Sequence, residues 1–379
     1  MTLVLNEEQQ MLKESAAGFL ASKATVGHLR KLRDSGDELG FEPAVWQEMV
    51  EMGWAGIAIP EAYGGLGYGY TGLGVVLEQA GRHLSASPLE ASVLVGATAI
   101  NCLGTEPQKA TWLAAIAAGE RQVTLALQES GAFDPAAVAA TATRDGDAYV
   151  VSGEKRMVLD AKSADAFVVI ARSSGAVGDQ EGLSAFLVPA DAAGLSVTSC
   201  DMVDSRQCGS VALDGVRLTS DALMGGEGDA WAGLDRTLDI AAIGFSAQLL
   251  GLSLEAFERT MDYIRERKQF GTVIGSFQGL QHRAAHLFAE LELARSIVLK
   301  ALQAVDADDE NLSRLASAAK AKLSEVARLA SNEGVQMHGG VGMTDEYDIG
   351  LYMKRSRVLE HLMGDYYYHL DRFARIGGY

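Results

Sequence analysis

Apolar residues recur at three- and four-residue steps through much of the chain. Leu234, Leu238, Ala241, Phe245, Leu249, Leu252 and Ala256 form one such stripe. Phe277, Ala284, Leu287 and Leu291 form a second, and Leu315, Ala319, Leu323, Val326 and Ala330 a third. This is the period of an α-helix with one buried face. It predicts helices over about 228–268, 277–305, 311–337 and 348–373, enough for an antiparallel bundle. All six prolines lie at or before position 189. A proline inside a helix costs about 3 kcal/mol, so its absence from the second half permits long helices there.

The N-terminal part is helical as well. Asn6 followed by Gln9 predicts a capping box ahead of Met11, Leu12, Phe19 and Leu20. Further helices fit 43–53, 70–83, 87–103 and 105–118. From 121 to 225 the pattern changes to short β-type runs, Tyr149–Gly153, Ala166–Ala171 and Leu183–Val188, with Asp145-Gly146 and Asp214-Gly215 read as turns between strands. The expected organisation is a mostly α member of the α+β class. It has an N-terminal all-helical domain (1–120), a middle β-barrel or sandwich domain (121–225) and a C-terminal four-helix bundle (226–379).

Composition narrows the function. The chain has 379 residues, 32 Lys and Arg against 50 Asp and Glu, and a formal charge of −18. A general nucleic-acid binder needs a basic face to neutralise phosphates, so that class is excluded; an anionic small ligand needs only a few local cations. With 48% hydrophobic and 22% charged residues, the chain is a folded protein. No apolar run approaches about 18 residues. The richest stretch, Ile240–Leu254, carries Gly244, Ser246, Gln248, Gly251 and Ser253, and reads as a buried bundle helix, with no membrane span expected. Cys102, Cys200 and Cys208 fit neither a disulfide framework nor a zinc site, and the N-terminus lacks the basic region of a secretory signal. The chain is therefore expected to be cytoplasmic.

Few motifs carry chemistry alone. Gly339-Gly340-Val341-Gly342 follows a helix, so it reads as a helix end and tight turn in preference to a dinucleotide fingerprint. His282 and His286 stand four apart without a third ligand, so no metal site is expected. Two strings are more informative. In Glu266-Arg267-Lys268-Gln269-Phe270-Gly271 a helix ends in cations, turns at Gly271 and restarts near Gln278. Arg267 and Phe270, three apart, are expected to share a face and to suit a pyrophosphate with an attached aromatic group. In Gln336-Met337-His338-Gly339-Gly340 the glycines let another molecule approach the backbone.

Together, ERKQFG…FQGLQH and QMHGGVGMTDEY closely resemble the two signature regions of the acyl-CoA dehydrogenase family of flavoproteins. Trp46, Gly53, Gly56–Glu61 and Tyr63–Gly67 resemble its first domain, and Gly153-Glu154-Lys155 with Ala164-Asp165 its middle domain. The resemblance covers almost the whole chain. It implies FAD as cofactor, an acyl-CoA substrate oxidised to a 2-enoyl-CoA, a tetramer, and electron-transfer flavoprotein as electron acceptor. Carried over by position, Arg267, Gln269, Phe270, Gln278, Gln336, Gly339 and Gly340 are expected to touch FAD held by a partner subunit.

Other family positions are changed. The family's usual catalytic glutamate precedes a glycine, and here that residue is Met363, before Gly364. The alternative base position on the first bundle helix falls at Ala241 and Ala242. The loop that normally reads TEPGAGS is Gln128–Asp134, and the flavin-flanking W-x-T is Met157-Val158-Leu159. Residues offered to a neighbour's flavin are thus kept while those serving the chain's own are replaced. The leading expectation is a base-lacking subunit of a heteromeric enzyme, similar to the small subunit of pimeloyl-CoA dehydrogenase-type proteins, acting in fatty acid, steroid or dicarboxylate degradation. The first alternative is a self-sufficient homotetramer in which Asp365, Glu360 or Asp239 is the base, and the second is an acyl-CoA-binding scaffold without chemistry.

Overall fold

The computed structural model describes residues 3–379. They form two compact units: residues 3–31, 70–85 and 242–379 make one, and residues 32–69 and 86–241 the other.

The first unit is helical. It contains α1 (Glu7–Lys23), the first part of α2 (Val26–Ser35), most of α4 (Gly69–His83), the second part of α7 (Trp231–Glu266), α8 (Gln278–Asp306), α9 (Leu312–His338), α10 (Ile349–His361) and α11 (Tyr366–Ile376). The capping box is present: Gln9 N–H donates to Asn6 Oδ1 (2.8 Å) and the Asn6 N–H to Gln9 Oε1 (3.0 Å). Leu20 behind it is buried, whereas Met11 is 69% exposed. The α7 stripe from Leu234 to Ala256 is buried throughout. By length and composition α7 passes for a membrane span, yet 89% of its most apolar window is buried inside the protein, as expected of a core helix. α4 and α7 meet through two glycines. A Cβ on Gly251 would lie 1.7 Å from the Glu78 carbonyl oxygen, and one on Gly81 2.1 Å from that of Gln248. Any side chain at either position would force the helices apart.

The helix expected over 348–373 is two helices. α10 stops at His361, Met363 and Gly364 take positive φ (58° and 99°), and Asp365 caps α11 by accepting from the Tyr368 N–H at 2.9 Å. The apolar period runs through the break and hides it, while the Gly-Asp pair that marks it is local.

The second unit holds α3 (Pro43–Glu51), α5 (Ala97–Leu103), α6 (Glu106–Ala117) and one mixed sheet of eight strands in the order β6-β7-β3-β2-β4-β5-β8, with β1 beside β4. The strands are β1 (Val123–Ala126), β2 (Thr141–Asp145), β3 (Ala148–Leu159), β4 (Ala166–Arg172), β5 (Leu183–Pro189), β6 (Leu195–Asp201), β7 (Gln207–Thr219) and β8 (Leu223–Met224). Two expectations change here. The helix expected over 87–103 begins with a π-helical stretch, Leu89–Gly96, before α5. Every residue from Leu84 to Ile100 is buried, so no amphipathic period distinguishes a wide helix from an ordinary one. Asp214-Gly215 is a bulge inside β7, because Val151 pairs with Val216 but Gly153 with Leu213. A dipeptide that favours positive φ serves either structure.

Candidate functional site

At the end of α7 two short strands, β9 (Lys268–Gln269) and β10 (Thr272–Val273), pair antiparallel, with Gln269 opposite Thr272. Phe270 and Gly271 form the tip with φ of 56° and 79°, the sign pattern of a type I′ hairpin turn. A non-glycine residue in that region costs about 1–2 kcal/mol. Phe270 is 90% exposed, its ring edge-on to Phe277 at 6.2 Å, so burial within the chain does not offset this strain. Arg267 and Phe270 do not share a helical face, since the helix ends at Glu266 and Phe270 sits on the hairpin. Both are exposed nonetheless, and the Arg267 guanidinium has no hydrogen-bond or ion-pair partner among the described residues. Gln278 is the exposed first residue of α8.

The second string lies at the end of α9. The Tyr263 ring, on α7, stacks on His338 at 4.3 Å, and its hydroxyl donates to the His338 carbonyl at 3.3 Å. Tyr347 meets both rings edge-on, at 5.9 and 5.6 Å. His338 is buried, with Nδ1 2.7 Å from the Gly334 carbonyl, and burial lowers its pKa. The two strings are thus tied together through three aromatic rings, of which His338 and Tyr347 belong to the second string and Tyr263 was not singled out by sequence reasoning. The cue available was Tyr263, one helical turn before Arg267. Beyond this tie, Gln336, Gly339 and Gly340 are exposed. A Cβ on either glycine would meet nothing within 4 Å, so the backbone there lies open to an incoming group. A free cation, an uncovered ring, three exposed amide side chains (Gln269, Gln278 and Gln336) and bare backbone form a set that fits a pyrophosphate carrying an aromatic group.

The Met363 turn is built differently. Lys320, on α9, is fully buried, and its ammonium donates to the carbonyls of Glu360 (2.8 Å) and Gly364 (2.9 Å). His369, 2% exposed on α11, lies with Nε2 2.8 Å from the Met363 carbonyl. Nε2 therefore carries the proton, and Nδ1 is a buried acceptor without a partner. Burial brings Lys320 down to about 7 despite nearby Glu360 and Asp365. Burial, with Lys320 adding to it, brings His369 down to about 3. Three carbonyls of the break are thereby held by side chains. The carboxylates expected as alternative bases have other occupations. Asp365 caps α11. Glu360 accepts from Ser356 Oγ at 3.0 Å and pairs with Arg357. Asp239 is buried on α7, in the other unit.

In the β unit, Lys155 is fully buried, donating to the Leu127 carbonyl at 3.1 Å and to Glu129 Oε1 at 2.5 Å. Burial, partly countered by Glu129, lowers it to about 8. Glu129 also accepts from the N–H groups of Ala139 and Ala140. Gln128 and Ser130 close the same loop on their own backbone, so these side chains hold the loop's shape. Met157 and Asp160 have positive φ, and the intervening Leu159 is an apolar residue 7% exposed. Among the described residues no group of three or more His, Cys, Asp or Glu is placed to hold a metal.

Three family models match in order: acyl-CoA dehydrogenase N-terminal domain over residues 6–120, middle domain over 125–216 and C-terminal domain over 228–377. The acyl-CoA dehydrogenase FadE12 of Mycobacterium tuberculosis is 34% identical over 362 residues, 94% of this chain and 92% of its own. Among solved structures, the steroid ACAD Tcur3481-Tcur3483 superimposes with a TM-score of 0.88 at 32% identity, covering 100% of this chain and 99% of that one. The ChsE4-ChsE5 complex of Mycobacterium tuberculosis does so with a TM-score of 0.90 at 25% identity and the same coverage. In sequence and in fold, across nearly its whole length, the chain belongs to the acyl-CoA dehydrogenase family.

Proposed function

We propose that this chain is one subunit of a heteromeric, FAD-dependent acyl-CoA dehydrogenase, forming a 2-enoyl-CoA from an acyl-CoA thioester with a partner subunit that carries the base. FAD is the cofactor of the family; when bound it supplies the two-electron acceptor for the substrate's β-hydride. Arg267 would pair with its phosphates, Gly339 and Gly340 would admit them to the backbone, and Phe270, Gln269, Gln278 and Gln336 would line the nucleotide of the neighbouring subunit. In this reading the domains are 1–120, helical, 121–225, β, and 226–379, the bundle.

The observation that carries this reading is a contrast between two places. Around Met363 every nearby carboxylate is engaged in a cap or an ion pair, and a thioether takes no proton. The strip around Arg267 is uncovered, with a strained aromatic tip in contact with little else. A thioester acidifies the α-carbon, and a carboxylate in a dry pocket must take that proton; in this reading the carboxylate is the partner's. The relatives named as pairs, Tcur3481-Tcur3483 and ChsE4-ChsE5, support a two-subunit assembly; in this reading electron-transfer flavoprotein is the acceptor.

Co-expression with a second family member that has glutamate at the position of Met363 tests the reading. The expected result is a tetramer of both chains whose flavin content falls when Arg267 is replaced by alanine. A homotetramer of this chain with a full flavin complement would contradict it.

A further inference from the structure

Two cysteines lie outside everything used so far. β6 and β7 run antiparallel, with Cys200 directly opposite Cys208. Directly opposed residues project from the same face with Cβ atoms about 4.5–5.5 Å apart, and the usual Cα separation of such pairs, about 4.5–5.5 Å, lies within the span of a disulfide. The Cys208 Sγ already leans across the ladder, 3.4 Å from the Cys200 carbonyl oxygen. Cys200 is exposed on the edge strand and Cys208 is 2% exposed; both are free thiols.

We propose that Cys200 and Cys208 are a redox modification site, reacting with low-molecular-weight disulfides and closing into a cross-strand disulfide. In the first step the Cys200 thiolate attacks one sulfur of the small disulfide. A mixed disulfide forms at Cys200, and one small thiol leaves. In the second step Cys208 loses its proton and attacks the Cys200 sulfur, expelling the second small thiol. The two protein thiols are oxidised by two electrons, and the small disulfide is reduced to two thiols.

The surroundings of Cys208 set the rates. Burial first, then Cys200 across the ladder, push its thiol up to about 12, with Asp204 and Asp160 adding to the effect. Arg206, 3.6 Å from Asp160, is the cation paired with this acidic group, and Arg33 and Lys162 line the adjoining surface with Ser199, Asp201 and Gln207. The attacking species is the thiolate. Closure is therefore slow at neutral pH and accelerates as the pH rises.

Oxidised glutathione added to the folded full-length protein tests this. At pH 7 the expected product is a single glutathione adduct at Cys200. Raising the pH to 9 converts it to a species lacking glutathione, releasing one further equivalent of reduced glutathione, two per chain over both steps. Trypsin cuts after Arg172, Arg206 and Arg217, so the closed form yields peptides 173–206 and 207–217 joined by a reducible link. Cys208→Ala keeps the adduct at both pH values, and Cys200→Ser abolishes adduct and closure alike. An adduct that persists unchanged at pH 9 in the parent protein, or no adduct at Cys200, would overturn the proposal.

Discussion

Lys320 and Gly364 are joined by a hydrogen bond of 2.9 Å between a fully buried ammonium and a carbonyl at the break between α10 and α11. With the bond to the Glu360 carbonyl and the contact of His369 with Met363, it holds the turn at residue 363 in a left-handed conformation. A charge so placed is a cost that pH can relieve.

Stability should therefore rise with pH in two windows. Lys320 has its folded pKa lowered to about 7, so between there and its ordinary value of 10.5 the unfolded chain binds more protons and stability increases with pH. His369, lowered to about 3, does the same between there and 6.5, so stability is lost as pH falls through that range. Urea denaturation across pH 4 to 9 measures both. His369→Gln, which keeps a donor for the Met363 carbonyl, should flatten the lower window. Lys320→Met should cost about 2–4 kcal/mol at pH 9, from two orphaned carbonyls, and less at pH 6.

The Glu129–Lys155 pair sits in the β unit. Glu129→Gln leaves the Lys155 ammonium without a countercharge in a fully buried site. A loss of about 3–5 kcal/mol is expected, read as a lowered melting temperature. Lys155→Met in the same background should recover part of it.

The hairpin at Phe270 trades stability for an exposed ring. Phe270→Gly removes the left-handed strain and should leave the chain as stable or about 1 kcal/mol more stable. Arg267→Ala should change stability by no more than about 0.5 kcal/mol, because its guanidinium makes no ion pair among the described residues. Both should weaken flavin retention in the assembled complex, measured by fluorescence of released flavin. Unchanged retention would remove the strip from the binding reading.

Much of this was legible in the sequence, and the exceptions have physical causes. Amphipathic stripes located α8 and α9 because one face of each is buried, and α7 was legible as a long apolar helix because most of it is buried on every side. The all-buried stretch before Ile100 hid its π-helical turn, and the break at Met363 was masked because the apolar period continues across it. The hairpin tip was readable as a turn at Gly271, but the positive φ of Phe270 was not, since no propensity favours it. The Met363 substitution was visible by resemblance alone. The roles of Lys320 and His369 were not legible, because a lysine within an apolar stripe reads as an ordinary surface residue and nothing local shows the histidine's burial; only the fold shows that Lys320 bonds two carbonyls of the turn and His369 a third.

Restoring a carboxylate offers a gain-of-function check. Met363→Glu in the flavin-loaded assembly should add turnover on the order of 100-fold above the chain's own background, the usual contribution of a positioned general base. Adding Lys320→Met should reduce that gain by loosening the turn. Steady-state rates with an artificial electron acceptor measure both.

The claim that this chain lacks its own base is tested most directly by anaerobic mixing with acyl-CoA while the visible flavin absorbance is followed. The isolated chain, with FAD added in excess, should show no bleaching, and the same chain assembled with a glutamate-bearing partner should bleach rapidly. Rapid bleaching by the isolated chain, abolished by Asp365→Asn or Glu360→Gln, would contradict the account.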